Sequence, residues 1–267
     1  MTLRGRASLG WWRRRALGAA FVVVALGATF AILGATGATA RSPSPGADAS
    51  PRAGEPLVED GHRYVPSRWT FALERFDLRL EDAGWKPAIG DALVASSAEV
   101  VVNGGFFDAA GRPVGLAVSE GTLLSALDPT LSGGVVVSDG ARVSLHATEG
   151  FELPRGSTFA IQCRPRLVVD GEPNVKRDDG QRAERTALCI RESGRRLDAV
   201  VVGASDDGAS AGPSLHALSQ YLAASGCEGA LNLDGGPSTG AAWREGGAVK
   251  VLAPRGPVRH VVAFHRR

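Results

Sequence analysis

The sequence has few of the residues that usually build metal sites. Its 267 residues include three cysteines, Cys163, Cys189 and Cys227, and no two of them have the spacing of metal ligands. A zinc site is therefore not predicted. The odd number allows one disulfide and one free thiol, or only buried free thiols, and the spacing does not decide between them. The five histidines are scattered, so each is interpreted as a surface or packing residue.

Acidic residues are absent from the first 40 positions, which contain five arginines and an apolar run over residues 16–40. A basic start, an apolar stretch and the closing Ala38-Thr39-Ala40 are typical of an export signal. The run is also long enough to cross a bilayer as an uncleaved anchor, with Arg13–Arg15 on the cytoplasmic side. Either interpretation predicts that the rest of the chain is exported, to the periplasm or the extracellular space.

A strong excess of positive charge is absent from the body of the chain. The formal net charge of +2 depends on the five arginines of the leader. Subtracting them from the 30 basic residues leaves 25 against 28 acidic residues, so the body has a net charge of −3. Nucleic-acid binding by bulk charge is therefore not predicted.

A regular alternation of strands and helices is also missing. Residues 41–62, rich in Pro, Ser and Gly, predict a linker. After it, short apolar runs alternate with glycine turns, and one helix is well supported, with Pro213 in its first turn and Gly226 as its stop. A second helix is predicted over 86–97. This pattern predicts an α+β fold, a single strand-rich domain over 63–267 with a mixed or antiparallel sheet and few helices.

Two strands end in similar polar corners. Asn103-Gly-Gly-Phe-Phe-Asp108 follows one buried apolar run, and Asn232-Leu-Asp234-Gly-Gly follows another. Each corner presents an amide and a carboxylate where glycines let a ligand approach the backbone. Two plain turns with solvated side chains are the alternative, and the repetition of the pattern favours a site.

The stretch Gly236-Pro-Ser-Thr-Gly240 also fits the G-x-S-x-G nucleophile elbow. That elbow requires a strand, a turn and a helix, followed by an acid and a histidine. Here a hairpin is predicted to follow, no Asp lies after Ser238, and Glu245 is the only acid there. A serine hydrolase is therefore not predicted.

Three arginines, Arg164, Arg166 and Arg185, lie beside or between apolar strand residues. Such a residue is commonly a solvated edge residue. Its guanidinium can alternatively hold a phosphate or carboxylate through two parallel hydrogen bonds.

Taken together, these pieces resemble the phosphodiester glycosidase family. The matching segments occur in order over roughly residues 65–265: Val102–Asp108, Pro113–Leu116, Gln162–Gly171, Arg185–Ala187, Gly212–Leu215 and Ala230–Thr239. The resemblance implies a hydrolase that cuts the sugar–phosphate bond of a sugar-1-phosphodiester. Its partner would be a phosphorylated carbohydrate or polymer, and no cofactor is implied, although a divalent cation is left open.

The resemblance leads to a hypothesis for each residue. Asp234 is the leading catalytic carboxylate, with Asp108 or Asp170 as its partner. A phosphate leaving group needs charge stabilisation more than strong protonation. The predicted substrate-binding residues are Asn103 and Asn232 for sugar hydroxyls, Arg185 with the amides of Gly235, Gly236, Ser238 and Thr239 for phosphate, and Arg164 as a weaker phosphate candidate.

Two other functions stay open at this point. A non-catalytic carbohydrate-binding domain could keep the fold without the chemistry, and dispersal of Asn103, Asp108, Arg185 and Asp234 would favour it. A metal-dependent phosphodiesterase could use Asp108 and Asp234 as oxygen ligands. The sequence does not select the sugar, the second ester group or the oligomeric state.

Overall fold

The computed structural model describes residues 49–84 and 89–267. The predicted leader and the first part of the predicted linker lie outside these residues. No helix within the described ranges is long and apolar enough to cross a membrane. The elements of the described chain are β1 Arg52–Ala53, β2 Leu57–Glu59, β3 His62–Tyr64, β4 Ser67–Ala72, β5 Phe76–Asp82, α1 Ile89–Ser96, β6 Val100–Asn103, β7 Ala117–Ser119, β8 Thr122–Ser125, β9 Gly134–Ser138, β10 Val143–Ala147, β11 Phe159–Cys163, β12 Arg166–Val169, β13 Glu172–Pro173, β14 Arg185–Arg191, β15 Arg196–Val202, α2 Leu215–Ala224, β16 Gly229–Asn232, β17 Ala241–Glu245, β18 Ala248–Leu252 and β19 His260–Arg266, with a 3-10 turn at Gly236–Ser238.

The described strands form three large sheets and one small one. The first sheet has the order β1-β4-β15-β14-β16-β12-β13, the second β10-β9-β11-β7-β8 and the third β18-β17-β6-β19-β5, while β2 and β3 pair alone. Neighbouring strands pair antiparallel throughout these sheets. The prediction of a strand-rich α+β fold with few helices is confirmed.

The central strands are buried on both faces. Along β6, Val100 and Val102 belong to the large core that the three sheets share, whereas Val101 packs in a second cluster with Ile89 and Leu93 of α1. Successive side chains of a strand point to opposite faces, so a strand between two apolar layers reads as a continuous apolar run. This explains why β6 shows no alternation in the sequence.

The helix predicted with Pro213 in its first turn is α2, and Pro213 lies just before it. Its first residue is Leu215, because the Ser214 side chain accepts a hydrogen bond from the Ala217 amide and caps the helix. Leu218 and Leu222 pack beneath the first sheet, and Gly226, at φ 85°, follows the helix end. The other predicted helix corresponds to α1 from residue 89 onward; residues 86–88 lie outside the described ranges.

The segment interpreted as a linker contributes strands to the domain. β1 pairs with β4, and β2 pairs with β3. Leu57 is 3% exposed and Tyr64 is fully buried, and both belong to the apolar cluster that contains Leu218 and Leu222 of α2. The composition of this segment does not reveal these contacts, because the residues that Leu57 and Tyr64 pack against lie far along the chain.

The cysteines form one disulfide, which joins Cys189 of β14 to Cys227, just before β16. Cys163, at the end of β11, is free and buried. Of the two possibilities that the sequence left open, the structure therefore has one bridge and one free thiol.

The sheet pairings bring four strand ends together. β16 ends where β14 begins, since Asn232 pairs with Ala187. β6 ends where β19 begins, since Asn103 pairs with Val261. The two sheets meet there, and the amide of Asp234 donates to the Gly104 carbonyl over 3.1 Å.

Candidate active site

Asn103 connects the two polar corners. Its Nδ2 donates to the Asp234 backbone carbonyl over 2.6 Å. Its Oδ1 accepts from the Thr186 hydroxyl at 2.6 Å and from the Gly240 amide at 3.1 Å. The side chain is buried, with 1% of Asn103 exposed. Asn103 therefore positions the loop around Asp234, whereas the sequence analysis assigned it to sugar hydroxyls.

The glycines of the first corner allow close packing of the protein. A Cβ at Gly104 would lie 2.9 Å from the His260 carbonyl oxygen, and one at Gly105 would lie 3.2 Å from the Cys163 Sγ. At the second corner, Gly236 has φ 57° and open space around its Cα. Close approach of a ligand is therefore supported at Gly236 and not at Gly104.

Asp234 is a half-buried carboxylate at the end of the β16 corner. Burial raises the pKa of this carboxyl, and the Ser238 side chain and the Gly235 amide oppose the shift through hydrogen bonds. The Gly235 amide lies 3.0 Å from Oδ1. No arginine or lysine of the described ranges forms an ion pair with Asp234, so its negative charge is not neutralised. A half-buried carboxyl with a raised pKa is suited to acid–base or nucleophilic chemistry.

The backbone amides of the second corner are engaged within the protein. Pro237 has no amide hydrogen. The other amides of the predicted phosphate-binding loop donate as follows: Gly235 to the Asp234 carboxylate (3.0 Å), Gly236 to the Glu184 carbonyl (2.8 Å), Ser238 to the Gly235 carbonyl (3.3 Å) and Thr239 to the Gly236 carbonyl (3.1 Å). These amides shape the loop, so a phosphate beside it would depend on side-chain donors.

Arg185 supplies such donors. The first residue of β14 is 8% exposed, and its Cδ would lie 3.9 Å from a Cβ at Gly235. Nε donates to the Pro213 carbonyl over 3.1 Å, and Nη2 to the Gln181 carbonyl over 3.3 Å. Within residues 49–84 and 89–267 the guanidinium forms no ion pair with a carboxylate. Burial lowers the pKa of Arg185, yet an arginine stays charged at neutral pH. This buried, unneutralised cation fits an anion.

Asn232 and Arg164 lie on the other side of the corner. The Asn232 Nδ2 donates to the carbonyls of Arg164 (2.9 Å) and Leu233 (2.7 Å). Its Oδ1 and the Thr239 Oγ1 are buried and have no hydrogen-bond partner within the described residues. The Arg164 side chain is exposed. The Asn232 side chain therefore anchors the loop through its Nδ2. Arg164 is exposed to solvent, as expected for an arginine at a strand edge.

Asp108 is bound within its own turn. Its Oδ1 accepts from the amides of Ala110 and Arg112, both at 2.9 Å, and its Oδ2 pairs with the Arg112 guanidinium. The hydrogen bonds from Arg112 lower the pKa of this carboxyl. Asp108 therefore stays ionised and helps to shape the loop after β6.

Asp170 lies at the opposite end of the first sheet. It occupies the turn after β12, where the Gly171 amide donates to the Glu228 carbonyl. Glu228 precedes β16 and Asp234 follows it, and six residues of extended chain span roughly 20 Å. Asp170 instead lines a separate cleft of about 280 Å³ together with Arg166 and Glu228. The structure does not bring it to Asp234.

Comparisons with known proteins show the family of this chain. The sequence model of the phosphodiester glycosidase family matches residues 96–264, which is more than half of the chain. The chain belongs to the phosphodiester glycosidase family. No curated protein matches it. Among solved structures, a hypothetical protein from Synechocystis has a TM-score of 0.61 at 17% identity, covering 80% of this chain and 61% of that one.

A second solved structure belongs to a named enzyme. The catalytic domain of zebrafish N-acetylglucosamine-1-phosphodiester alpha-N-acetylglucosaminidase, auto-inhibited by its pro-peptide, has a TM-score of 0.59 at 16% identity. The similarity covers 80% of this chain and 81% of that domain. At these identities the similarity shows the shared fold. The present chain spans about three fifths of the length of the Synechocystis chain.

Two residues that bind the glycine corners, His260 and Glu184, were not predicted from the sequence. His260, 7% exposed, accepts from the Gly104 amide through its carbonyl (2.7 Å), and its ring lies 6.4 Å from the Phe107 ring. The Glu184 carbonyl anchors Gly236, and its carboxylate pairs with Arg255. Both residues were isolated in sequence from the glycine corners, so no local motif identified them.

Among the described residues, one group of three carboxylates could hold a metal ion. Glu59, Asp60 and Asp178 offer carboxylate oxygens within 4.8 Å of one another. The Arg182 guanidinium pairs with all three, at 3.3, 2.7 and 2.8 Å. Neither Asp108 nor Asp234 belongs to such a group within the described residues. The metal-dependent alternative therefore gains no support from the arrangement of these two carboxylates.

Proposed function

We propose that this protein hydrolyses the bond between the anomeric carbon and the phosphate oxygen of a sugar-1-phosphodiester. Water supplies the oxygen that is added to the sugar, and a phosphomonoester leaves. The observation that carries the proposal is the adjacency of Asp234 and Arg185. Gly235 directly follows the residue with the raised-pKa carboxyl, and a Cβ at Gly235 would lie 3.9 Å from the Arg185 Cδ.

The division of roles follows from charge. Asp234 faces the anomeric carbon, where positive charge develops in the transition state, and acts there as nucleophile or base. Arg185 binds the phosphate, whose negative charge grows as the bond breaks, and its remaining N–H groups can donate to two oxygens. Membership of the family and the fold shared with the zebrafish enzyme support this assignment.

The loop glycine completes the proposed binding geometry. Gly236 faces open space at φ 57°, so a bulky phosphodiester can approach beside Arg185. Asn103, Asn232 and Thr239 act behind this surface, because all three residues are buried. The Nδ2 atoms of Asn103 and Asn232 donate to backbone carbonyls.

We also propose that the domain works outside the cytoplasm. The basic, apolar leader of residues 1–40 supports export. The disulfide between Cys189 and Cys227 adds support, because disulfides persist in oxidising compartments. An uncleaved leader would tether the domain to the membrane, and a cleaved one would release it.

Hydrolysis in ¹⁸O-labelled water tests the reaction directly. The protein is incubated with a sugar-1-phosphodiester, and the products are analysed by ³¹P NMR and mass spectrometry. Glycosidase chemistry gives labelled free sugar and an unlabelled phosphomonoester. Labelled phosphate in a sugar phosphate, with release of the alcohol, would instead indicate a phosphodiesterase and overturn the proposal.

Two variants and one treatment complete this test. Asp234→Asn should lower kcat about a thousandfold or more with the fold intact, as expected for a catalytic carboxylate. The exposed Asp91 on α1 gives the matched control, Asp91→Asn, which should keep full activity. Activity should survive a chelator, and its loss would favour the metal-dependent alternative. Absence of hydrolysis with retained sugar binding would favour the non-catalytic domain.

A further inference from the structure

Two backbone carbonyls orient the Arg185 guanidinium. They belong to Gln181 and Pro213, which lie on different segments of the chain. Neutral carbonyls fix the direction of the guanidinium without neutralising its charge. The anion affinity of Arg185 therefore depends on how firmly these two carbonyls are held.

Both segments are held by one carboxylate, that of Glu59. Its Oε1 lies 3.3 Å from Nη2 of Arg182, the residue after Gln181. Its Oε1 and Oε2 accept from the Ser214 hydroxyl (2.6 Å) and amide (2.9 Å), and Ser214 follows Pro213. The Glu59 side chain is 10% exposed, and Ser214 is fully buried. Charge-assisted hydrogen bonds between buried groups of this kind are strong.

The two segments also pack directly on each other. A Cβ at Gly212 would lie 2.0 Å from the Ala183 carbonyl oxygen, so no side chain fits between them. Gly212 has φ 151°. A shift of either segment would therefore move the other one, and the carbonyl that each presents to Arg185.

We infer that Glu59 is the positioning residue for anion binding by Arg185, an inference that rests on the proposed phosphate-binding role of Arg185. Glu59 lies on β2, outside residues 96–264 that match the family. Within the described residues, Glu59 forms no ion pair with Arg185. It acts on Arg185 indirectly, through Arg182 and Ser214. The anion site of this domain therefore includes a residue from the N-terminal hairpin.

The direction of the change in anion affinity distinguishes a positioning role of Glu59 from a purely electrostatic one. Glu59→Gln removes a negative charge from the neighbourhood of Arg185, and Coulomb's law alone predicts tighter binding of an anion. Positioning predicts weaker binding, because the ion pair with Arg182 is lost and the carbonyls gain freedom. Asp60→Asn is the matched control. Asp60 pairs with the same Arg182 nitrogen, is 71% exposed and has no contact with Ser214.

The test measures binding of inorganic phosphate to the full chain by isothermal titration calorimetry, well below the thermal midpoint of each variant. We expect Glu59→Gln to weaken the affinity about tenfold, which corresponds to ~1.4 kcal/mol. Asp60→Asn should leave it within about twofold, because exposed ion pairs contribute little. Ser214→Ala, which changes no charge, serves as the second variant if Glu59→Gln does not fold, and it should weaken binding in the same direction.

Each result decides the inference. An unchanged or tighter phosphate affinity in Glu59→Gln, with normal binding by the wild type, would overturn it, as would equal losses in Glu59→Gln and Asp60→Asn. A purely structural role would lower the thermal midpoint and leave the affinity of the folded protein unchanged. If wild-type binding of phosphate does not depend on Arg185, both this inference and the proposed phosphate site fail. If phosphate binding behaves as expected but ¹⁸O enters the phosphate, the proposed reaction alone fails.

Discussion

The carboxamide of Asn103 and the backbone carbonyl of Asp234 are joined by a 2.6 Å hydrogen bond between two different sheets. The same side chain binds the Thr186 hydroxyl and the Gly240 amide. The loop that carries the candidate catalytic carboxylate is thus fixed by a residue of the other corner, 131 positions away in sequence.

Replacing Asn103 by Ala should destabilise the protein strongly. The change leaves a buried carbonyl, a hydroxyl and an amide without their partner, at a combined cost of about 3 kcal/mol. Urea unfolding followed by circular dichroism measures the free energy of unfolding. The exposed Asn174, whose Nδ2 binds the Arg166 carbonyl, provides the control Asn174→Ala. Equal losses in the two variants would show that the Asn103 network adds no particular stability.

The stability of Asp234→Asn should differ from wild type in a pH-dependent way. Burial raises the pKa of Asp234 above its ordinary 3.8, so the ionised carboxyl destabilises the folded state at neutral pH. We expect the variant to be the more stable protein at pH 7. The advantage should shrink as the pH falls through the folded pKa and vanish below 3.8, where both states are protonated. Thermal midpoints from pH 7 to pH 3 measure this, and a variant less stable at pH 7 contradicts it.

His260 should make the domain less stable in mild acid. Burial, aided by the positive charge of Arg259, lowers the pKa of His260 from 6.5 to about 4. Between these values the unfolded chain binds a proton that the folded chain does not, so stability falls as the pH decreases from 6.5 to 4. The loss should reach roughly 3 kcal/mol.

His260→Gln tests this linkage. The variant removes the titrating group, so the slope of unfolding free energy against pH should become smaller between pH 6.5 and 4. His146→Gln on β10 gives the matched histidine-to-glutamine variant for comparison. Parallel curves for His260→Gln and wild type would show that His260 does not titrate in this way.

The disulfide should contribute substantially to stability. Cys189 and Cys227 are 38 residues apart, and closing a loop of that length in the unfolded chain stabilises the folded state by about 4 kcal/mol. We expect the Cys189→Ala/Cys227→Ala variant to lose most of that free energy of unfolding in urea titrations. Alkylation in denaturant should label one thiol, on Cys163, before reduction and three after it. Three labelled thiols before reduction would contradict the bridge.

The sequence by itself determined the strand-rich class, the α2 helix and the two polar corners. These features are local: apolar runs, a proline near the start of the helix and glycine turns are recognised from spacing over a few residues. The family resemblance also depended on such short segments, and Asp234 and Arg185 came from them. The contacts of Asn103 with Thr186 and Gly240 could not be predicted from the sequence, because these residues are far apart along the chain.

Only the tertiary structure decided which polar residues meet. Asp170 and Asp234 lie at opposite ends of β16 because β12 runs antiparallel to it. The Gly236 amide donates to the carbonyl of Glu184, which precedes β14, and the Gly240 amide donates to the Asn103 side chain at the end of β6. Glu59, in a segment whose composition predicts a linker, lies against Ser214 through strand pairing at the start of the domain. The contacts of Asn103 with Gly240 and of Glu59 with Ser214 join residues more than a hundred positions apart, and local patterns contain no information about them.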